Sequence, residues 1–347
     1  MNHAARFQVE RSTRSSRVFA LGVVLGLIAL ATLPWWGTPG AMRLVTEMAY
    51  YLALAQLWNL LAGYAGLVSV GQQAFVGMGG YALFALTDWY RIQPLIALLG
   101  AGCFAGIMSI PFALIVFRLR GAYFAVGTWV VAESLLLFFA QNTTMGGGSG
   151  YSLTPDIVRS IAADPNSREI ILYWVALALV VGIITAIYLL LRSRHGLALT
   201  AIRDSELASA SLGVDTYRTK MLIFVITAIG TGLIGAFIFL EKLRISPEAG
   251  FSVNDWTVVV IFMVVIGGIG TLEGPIIGML VYFVLRELLA DYGSWYLILL
   301  GIVAVTIMLK AREGLWGLCA RRLHLQLFPV RRHLVRMDSP PPPFTAP

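Results

Sequence analysis

The polar residues that could carry chemistry in this chain lie inside apolar stretches. Gln72 and Gln73 fall within a glycine-rich run, residues 67–87, that also holds Gly77 and Gly80. Amide side chains can hydrogen-bond between helices inside a membrane bundle, and glycines allow close helix contact or a broken helix beside a cavity. Two interpretations stay open: helix packing alone, or a helix that lines a transport pathway.

A single carboxylate, Glu133, lies in the middle of a second apolar run, residues 121–141. An ionisable side chain at membrane depth is rare and is by default a functional hypothesis. No Lys, Arg or His inside the apolar runs offers a clear partner, so the sequence does not support a proton relay. We interpret Glu133 as a structural or conformational-coupling residue first, and as a transport group second.

Sequence motifs of enzymes are absent. The chain has no His-Glu-x-x-His zinc site, no Walker phosphate loop and no Gly-x-Ser-x-Gly nucleophile elbow. Its two cysteines, Cys103 and Cys319, lie far apart and offer neither metal-ligand spacing nor a disulfide framework. The sequence therefore predicts no catalytic residue, no metal site and no cofactor. If ATP drives this protein, another chain must bind it.

The composition indicates a membrane protein. The chain is 58% hydrophobic and 12% charged with a mean hydropathy of +0.80, whereas a soluble domain carries about 25% charged residues. The net charge of +7 does not indicate nucleic-acid binding, because the basic residues lie in short loops between apolar runs. The first apolar run follows a basic start but has no cleavage site after it, so we expect a retained helix rather than a signal peptide.

The apolar segments that carry these side chains must form transmembrane helices, and each such helix needs roughly 20 apolar residues. We predict an all-α, polytopic integral membrane protein of about ten spans. The eighth and ninth are short, and we expect them to be tilted, broken or partly re-entrant. The predicted spans are 18–34, 42–62, 67–87, 94–117, 121–141, 169–191, 220–240, 255–268, 275–289 and 294–309.

The orientation follows from the basic residues. With both termini in the cytoplasm, 18 of the 25 Lys and Arg residues lie inside, and the reverse orientation would place most of them outside. The chain then divides into a cytoplasmic basic arm (1–17), a transmembrane domain (18–309) with a cytoplasmic loop (192–219), and a basic, proline-ended cytoplasmic tail (310–347) that we expect to be partly disordered.

The loop 192–219 contains a predicted helix of about eight residues. Asp204 or Ser205 can cap its start, Glu206 in the first turn suits the helix dipole, and Gly213 can stop its end. The helix is too polar to span a membrane. Two interpretations are equally supported by the residues: an ordinary solvated helix, or a helix that seats in the groove of a partner.

Taken in order, several segments resemble the M-type permease of branched-chain amino-acid ABC importers, over roughly residues 50–317. Each segment alone is unspecific, and their order and spacing carry the resemblance. They are 59–66 with the glycine-rich run after it, 118–125, Glu133, 146–147, 201–213, 246–248 and 265–270.

The resemblance implies a bacterial inner-membrane subunit with several partners: two cytoplasmic ABC ATPases, a second related permease, most simply a sister chain, and a periplasmic substrate-binding protein. It also implies that the predicted cytoplasmic helix is the coupling helix that docks on an ATPase. Here Glu206-Leu207-Ala208 replaces the family's Glu-Ala-Ala, and the spacing to Gly213 is one residue longer. The coupling residues are Arg203, Asp204, Ser205, Glu206, Ala208, Leu212 and Gly213.

The mechanism that the resemblance implies is alternating access, in which a branched-chain or other hydrophobic amino acid, or else urea or a short amide, crosses between two permeases. We expect bulky substitution at Gly77 or Gly80 to abolish uptake while assembly survives. The residues that we expect to line the pathway are Asn59, Gln72, Gln73, Gly77, Gly80, Tyr123 and Glu133.

Three other functions compete with this one. An ion-coupled secondary transporter of small polar solutes would need ionisable groups at the membrane midplane, and Glu133 is the one candidate in the apolar runs. A membrane-embedded enzyme would need a nucleophile, a base or a metal cluster, which the sequence lacks. A purely structural scaffold leaves the capped cytoplasmic helix unexplained.

Overall fold

Helices dominate the part of the chain that the computed structural model describes, which is residues 7–10, 14–289, 295–311, 313–323, 328 and 333–336. Each of the ten predicted spans contains a helix. In chain order the helices are α1 (Arg14–Ala31), α2 (Leu33–Trp36), α3 (Pro39–Asn59), α4 (Gln72–Asp88), α5 (Pro94–Val116), α6 (Ala122–Gln141), α7 (Pro155–Ile161), α8 (Pro165–Arg192), α9 (Arg194–Asp204), α10 (Glu206–Ser211), α11 (Thr216–Lys242), α12 (Pro247–Gly250), α13 (Val259–Gly267), α14 (Gly274–Leu289), α15 (Trp295–Lys310) and α16 (Gly314–Leu323).

Five segments of the described chain are long and apolar enough to cross a membrane. They are α5, α6, α8, α11 and the stretch from α12 to α13, Pro247–Gly267. A soluble protein would not carry so many, so the chain is a multi-pass helical membrane protein. The expectation of ten spans and of cytoplasmic termini stays a prediction.

Short strands join distant parts of the chain in two places. β1 (Phe7–Glu10) pairs antiparallel with β4 (His333–Arg336), and β2 (Tyr151–Ser152) pairs with β3 (Arg244–Ile245). The first pairing holds the N-terminal arm beside the C-terminal tail. The proline run of the tail, 340–343, lies outside the described residues, and so does most of the segment for which we expect disorder.

The core is built around α11, which packs against α4 and α5 and also contacts α3. About two-thirds of its most apolar window is buried (67%), whereas for α6 the buried share is 17%. On the other side of the molecule, α3 packs on α8, α13 and α14. α11 is therefore a central helix, and α6 is a peripheral one that leaves a broad apolar face uncovered.

The chain leaves the helical conformation at two places, one at the start of the predicted span 67–87 and one between the predicted spans 255–268 and 275–289. After α3 the chain continues as a π-helical turn (Leu60–Tyr64) and then leaves the helical conformation until α4 begins at Gln72. The predicted helix start at residue 67 is therefore five residues too early. A second non-helical stretch, residues 268–273, separates α13 from α14. Glycines with positive φ, Gly66 in the first break and Gly268 and Gly270 in the second, adopt a backbone that other residues rarely take.

The long connection between α6 and α8 folds over one end of the bundle. It contains α7 and β2, and the Tyr151 hydroxyl donates a hydrogen bond to the Asp88 carboxylate at the end of α4. This hydrogen bond, together with burial, raises the pKa of Tyr151 above its ordinary value. The connection is thus fixed to the transmembrane helices rather than loose.

Candidate functional site

The predicted cytoplasmic helix is present as α10, with the start and the stop that its residues indicate. The Ser205 hydroxyl accepts a hydrogen bond from the backbone N–H of Ala208 (3.3 Å), so Ser205, not Asp204, is the N-cap. Gly213 has φ 85° and its N–H donates to the Ala210 carbonyl (3.0 Å). The helix has six residues instead of about eight, because Asp204 ends the preceding helix, α9, which the sequence did not reveal.

α10 presents two large apolar side chains to solvent. Leu207 is 85% exposed and Leu212, just after the helix, is 83% exposed. On the opposite side Ser209 is buried, and its hydroxyl donates to the Ser205 carbonyl (2.8 Å). The Lys220 ammonium lies 2.7 Å from the Glu206 carboxylate, which fixes α10 to the first turn of α11. The helix is therefore held from one side and offers leucines on the other.

Arg203 points from α9 toward the second break in the transmembrane helices. Its guanidinium Nη1 lies 3.1 Å from the position that a Cβ atom would take on Gly270. The carboxylate of the neighbouring Asp204 lies 3.8 Å from the Nε atom of Arg203. The loop that carries α10 therefore contacts the glycine-rich turn between α13 and α14 directly.

Two side-chain amides of α3 hold this turn. Asn59 accepts a hydrogen bond from the Gly270 N–H (2.8 Å) and donates one to the Thr271 carbonyl (2.8 Å). Gln56, one helical turn earlier, donates to the Leu272 carbonyl (2.7 Å). Both side chains are fully buried. We call Gln56 and Asn59 with residues 268–273 the amide latch.

The sequence interpretation placed Asn59 on the pathway and missed Gln56. The latch adds a contact between α3 and the break before α14 that the sequence did not predict. Asn59 lines neither the cavity beside Tyr81 nor the cavity beside Glu241. Its role on a pathway stays a prediction. The spacing of Gln56 and Asn59, two amides three residues apart in an apolar helix, was a usable signal.

The two glutamines at the start of α4 join three helices. The Gln72 amide donates to the Leu54 carbonyl of α3 and to the Thr231 hydroxyl of α11, both at 3.2 Å. The Gln73 side-chain oxygen accepts a hydrogen bond from the Thr257 hydroxyl. Both glutamines are buried, so within this chain they hold the break before α4 in place.

Glycines give α4 its close contacts with neighbouring helices. The edge of the Phe251 ring lies directly over Gly77, and side chains of Phe239 and Ile245 lie over Gly80. This is the packing that the sequence left open as one of two interpretations. A bulky side chain at either position must displace these neighbours, so an uptake test there needs a separate assembly measurement.

Tyr123 and Glu133 differ from the other five pathway candidates because their side chains are exposed on the surface of the described chain, whereas the other five residues are buried. Tyr123 is 77% exposed on the first turn of α6, and Glu133 is exposed near its middle. They share an outward face of α6 with the apolar side chains of Val126, Val130 and Leu137. The structure thus separates the candidates into a buried group and an exposed group.

No metal site accompanies these residues in the part of the chain that the structure describes, where no cluster of three or more His, Cys, Asp or Glu side chains occurs. The described contacts are a short capped helix with exposed leucines, an arginine that reaches a helix break, and two buried amides that bind the backbone of that break.

Comparison with known proteins identifies the family of the chain. The family model for the permease component of branched-chain amino acid transport systems matches residues 40–309. No solved structure matches the chain.

Three curated relatives are similar over most of the chain. The high-affinity branched-chain amino acid transport system permease protein LivM of Salmonella typhimurium is 29% identical and that of Escherichia coli 28%; each alignment covers 92% of this chain and 79% of the relative. The probable branched-chain amino acid transport permease protein LivM of Methanocaldococcus jannaschii is 24% identical over 77% of this chain and 83% of its own length.

Proposed function

Because the chain belongs to the permease-component family of branched-chain amino acid transport systems, we propose that it imports a branched-chain or other hydrophobic amino acid as one membrane subunit of an ATP-driven transporter. Urea or a short amide is the second substrate class. The subunit would lie in a bacterial inner membrane, with ten spans and both termini in the cytoplasm. The pairing of β1 with β4 supports termini on one side.

The observation that carries this proposal is the exposed apolar side of α10. Leu207 and Leu212 extend into solvent from a short capped helix that is fixed to α11 from behind. Two leucine side chains that are more than 80% exposed and lie five positions apart are unfavourable on a surface that faces only water. A groove on an ATPase would bury both of them. Burial of a leucine side chain contributes about 1.5–3 kcal/mol.

The same segment provides a route for motion into the membrane. A displacement of α10 acts on α11 through the Glu206–Lys220 ion pair and on the turn 268–273 through Arg203. Since both helix breaks meet at the amide latch, α3, α4 and α14 respond together. We propose that ATP binding and hydrolysis in two separate ATPase subunits use this route to alternate the access of the pathway, with no bond chemistry in this chain.

The outward face of α6 supports a second permease as partner. A charged side chain at the centre of a lipid-facing helix costs about 2.5–3.5 kcal/mol on insertion scales. Glu133 lies in the middle of α6 with lipid-compatible neighbours on the same face. A sister permease that covers this face would remove Glu133 from lipid and would place Tyr123 and Glu133 at the boundary between the two chains, where the substrate crosses after delivery by a periplasmic binding protein.

The test is copurification of the tagged chain in mild detergent, followed by mass spectrometry. We compare wild type with the double variant Leu207→Ser/Leu212→Ser, with Arg203→Glu, and with Leu318→Ser, an exposed leucine of α16, as the matched control. We expect ATPases and a second permease with wild type and control, and loss of the ATPases alone in the double variant.

Arg203→Glu should retain the ATPases and lose ATP-dependent uptake, since its contact lies on the transmembrane side of the loop. A chain that purifies alone and moves solute in vesicles without ATP would instead be an ion-coupled secondary transporter. Retention of the ATPases by the double variant would remove α10 as the docking helix.

A further inference from the structure

A charged cavity of about 440 Å³ lies at the end of the bundle opposite the coupling segment. One stripe of α3 forms one wall, and the last two residues of α11 form the other. A volume of this size is within the range of small-molecule sites, about 300–1,000 Å³. Its lining residues are Gly40, Arg43, Leu44, Glu47, Tyr50, Glu241 and Lys242.

Two of the ionised groups around the cavity are already neutralised by partners on other helices. The Glu47 carboxylate accepts two hydrogen bonds from the Arg286 guanidinium (2.6 and 2.8 Å), and Arg43 donates to Glu169 at 2.6 Å. The first pair is bidentate, which fixes both the distance and the orientation of its side chains. These pairs form the rim of the cavity.

The last two residues of α11 are different. Glu241 makes no hydrogen bond or ion pair with any residue that the structure describes, although it is half-buried. Lys242 has no carboxylate within ion-pair distance there, and its ammonium lies over the Trp256 ring at 4.9 Å. A carboxylate in the last turn of a helix is also disfavoured by the helix dipole. Glu241 is therefore a half-buried carboxylate with no directly paired cation among the described residues.

We propose that this cavity binds the zwitterionic backbone of an amino acid, with the α-ammonium on the Glu241 carboxylate and the α-carboxylate on the Lys242 ammonium. Leu44 and Tyr50 offer apolar surface for the side chain of the ligand. The cavity and its rim hold three basic residues, Arg43, Lys242 and Arg286, and three acidic residues, Glu47, Glu241 and Glu169, so a ligand of zero net charge leaves the balance unchanged. This inference rests on the proposed function and names the substrate chemistry of one site.

The position of the site suits a transporter. α11 has 27 residues and so spans about 40 Å, with the coupling segment at its first turn and Glu241 and Lys242 at its last. A ligand that binds the last turn and a motion that acts on the first turn therefore share one rigid helix. The cavity lies on the outer side in the predicted orientation.

The test measures binding of radiolabelled leucine to the purified permease complex without its periplasmic binding protein, in nanodiscs of phosphatidylglycerol. Unlabelled leucine, leucinamide, which lacks the carboxylate, and 4-methylpentanoate, which lacks the ammonium, serve as competitors. The variants are Glu241→Gln and Lys242→Gln. Glu248→Gln, an exposed carboxylate of α12 outside the cavity, is the matched control.

We expect wild type and control to prefer leucine over both analogues by at least tenfold. Glu241→Gln should lose the preference over 4-methylpentanoate, and Lys242→Gln the preference over leucinamide. The unfolding temperature of Glu241→Gln should not fall, because the variant removes an unfavourable charge from the end of α11. The proposed site would be overturned by any of three results. These are an unchanged preference in the variants, no leucine binding to wild type, or a loss of stability in Glu241→Gln without a change in preference.

Two further experiments complete the test. The first distinguishes an amino-acid site from a lipid site, and the second distinguishes an error in the proposed site from an error in the proposed function. A phosphatidylethanolamine headgroup also combines an ammonium with an oxyanion, so binding is repeated in nanodiscs that contain this lipid; loss of leucine binding there assigns the cavity to lipid and overturns the proposal. ATP-driven leucine uptake by the complete transporter is measured separately. Normal uptake with unchanged preferences removes the site alone, whereas specific binding without ATP-driven uptake removes the proposed function alone.

Discussion

Asn59 forms both of its described hydrogen bonds with backbone atoms of one turn, the Gly270 N–H and the Thr271 carbonyl. The neighbouring glycines are part of the same contact, because a methyl group on Gly63 would lie 2.5 Å from the Gly270 nitrogen. At this scale the chain uses small residues to bring two helix breaks together and an amide to fix them. The contribution of such a contact to stability comes mainly from the free-energy cost of leaving its hydrogen-bonding groups unpaired when the contact is lost.

Asn59→Ala should destabilise the protein, since it leaves a partly buried N–H and a partly buried carbonyl without their partners, which costs up to about 1–3 kcal/mol for each group. We expect the unfolding temperature in detergent to fall by several degrees and uptake to fall with it. The exposed Asn254 provides the control, Asn254→Ala, which should behave as wild type. An unfolding temperature equal to that of wild type would show that the latch carries no stability.

Gly79→Ala should impair folding far more than alanine at another helical glycine. A Cβ on Gly79 would fall on the carbonyl oxygen of Gly232 in α11, and backbone cannot move aside as a side chain can. Gly182 in α8 has open space around the same position, and there alanine should be neutral or slightly stabilising. The yield of monodisperse protein after size-exclusion chromatography compares the two variants. Equal yields would argue against close packing of α4 on α11.

At the scale of elements, the sequence predicted the helices and the gap between α13 and α14 well, and the start of α4 poorly. Apolar runs of about 20 residues locate helices because lipid requires them, and helices occur at all ten predicted positions. The start of α4 at Gln72 depends instead on hydrogen bonds to Leu54, Thr231 and Thr257, which are distant in the sequence. The latch has the same character, since Asn59 and Gly270 are 211 residues apart. No local pattern encodes such pairs.

The outer face of α6 leads to a prediction about assembly. If a second permease covers Glu133, a cysteine at Val130 that carries a thiol-reactive benzophenone label should form a photo-induced cross-link with that chain, because the excited benzophenone inserts into a C–H bond of whichever chain lies against it. Leu189 of α8, which is also an exposed apolar position (60%, against 56% for Val130), provides the control. The native Cys103 and Cys319 are exposed and are replaced by serine beforehand. Cross-linking at Leu189 but not at Val130 would place the interface elsewhere.

For the whole molecule, orientation decides whether the coupling segment and the charged cavity can work as proposed. α10 must meet ATPases in the cytoplasm, and Glu241 and Lys242, at the far end of α11, must then face outward. The distribution of basic residues supports this direction, since 18 of 25 lie on the proposed inner side. Cysteine labelling in intact cells tests it directly.

In a variant without native cysteines, a cysteine in place of Asp156, exposed on α7, should react with a membrane-impermeant maleimide added outside. A cysteine in place of Ser211, exposed at the end of α10, should react only after the cells are opened. Both positions are exposed and lie outside the apolar spans, so a difference between them reports the side of the membrane rather than burial. The reverse labelling pattern would place α10 outside, where no ATP-driven subunit could reach it, and would contradict the importer mechanism at its first step.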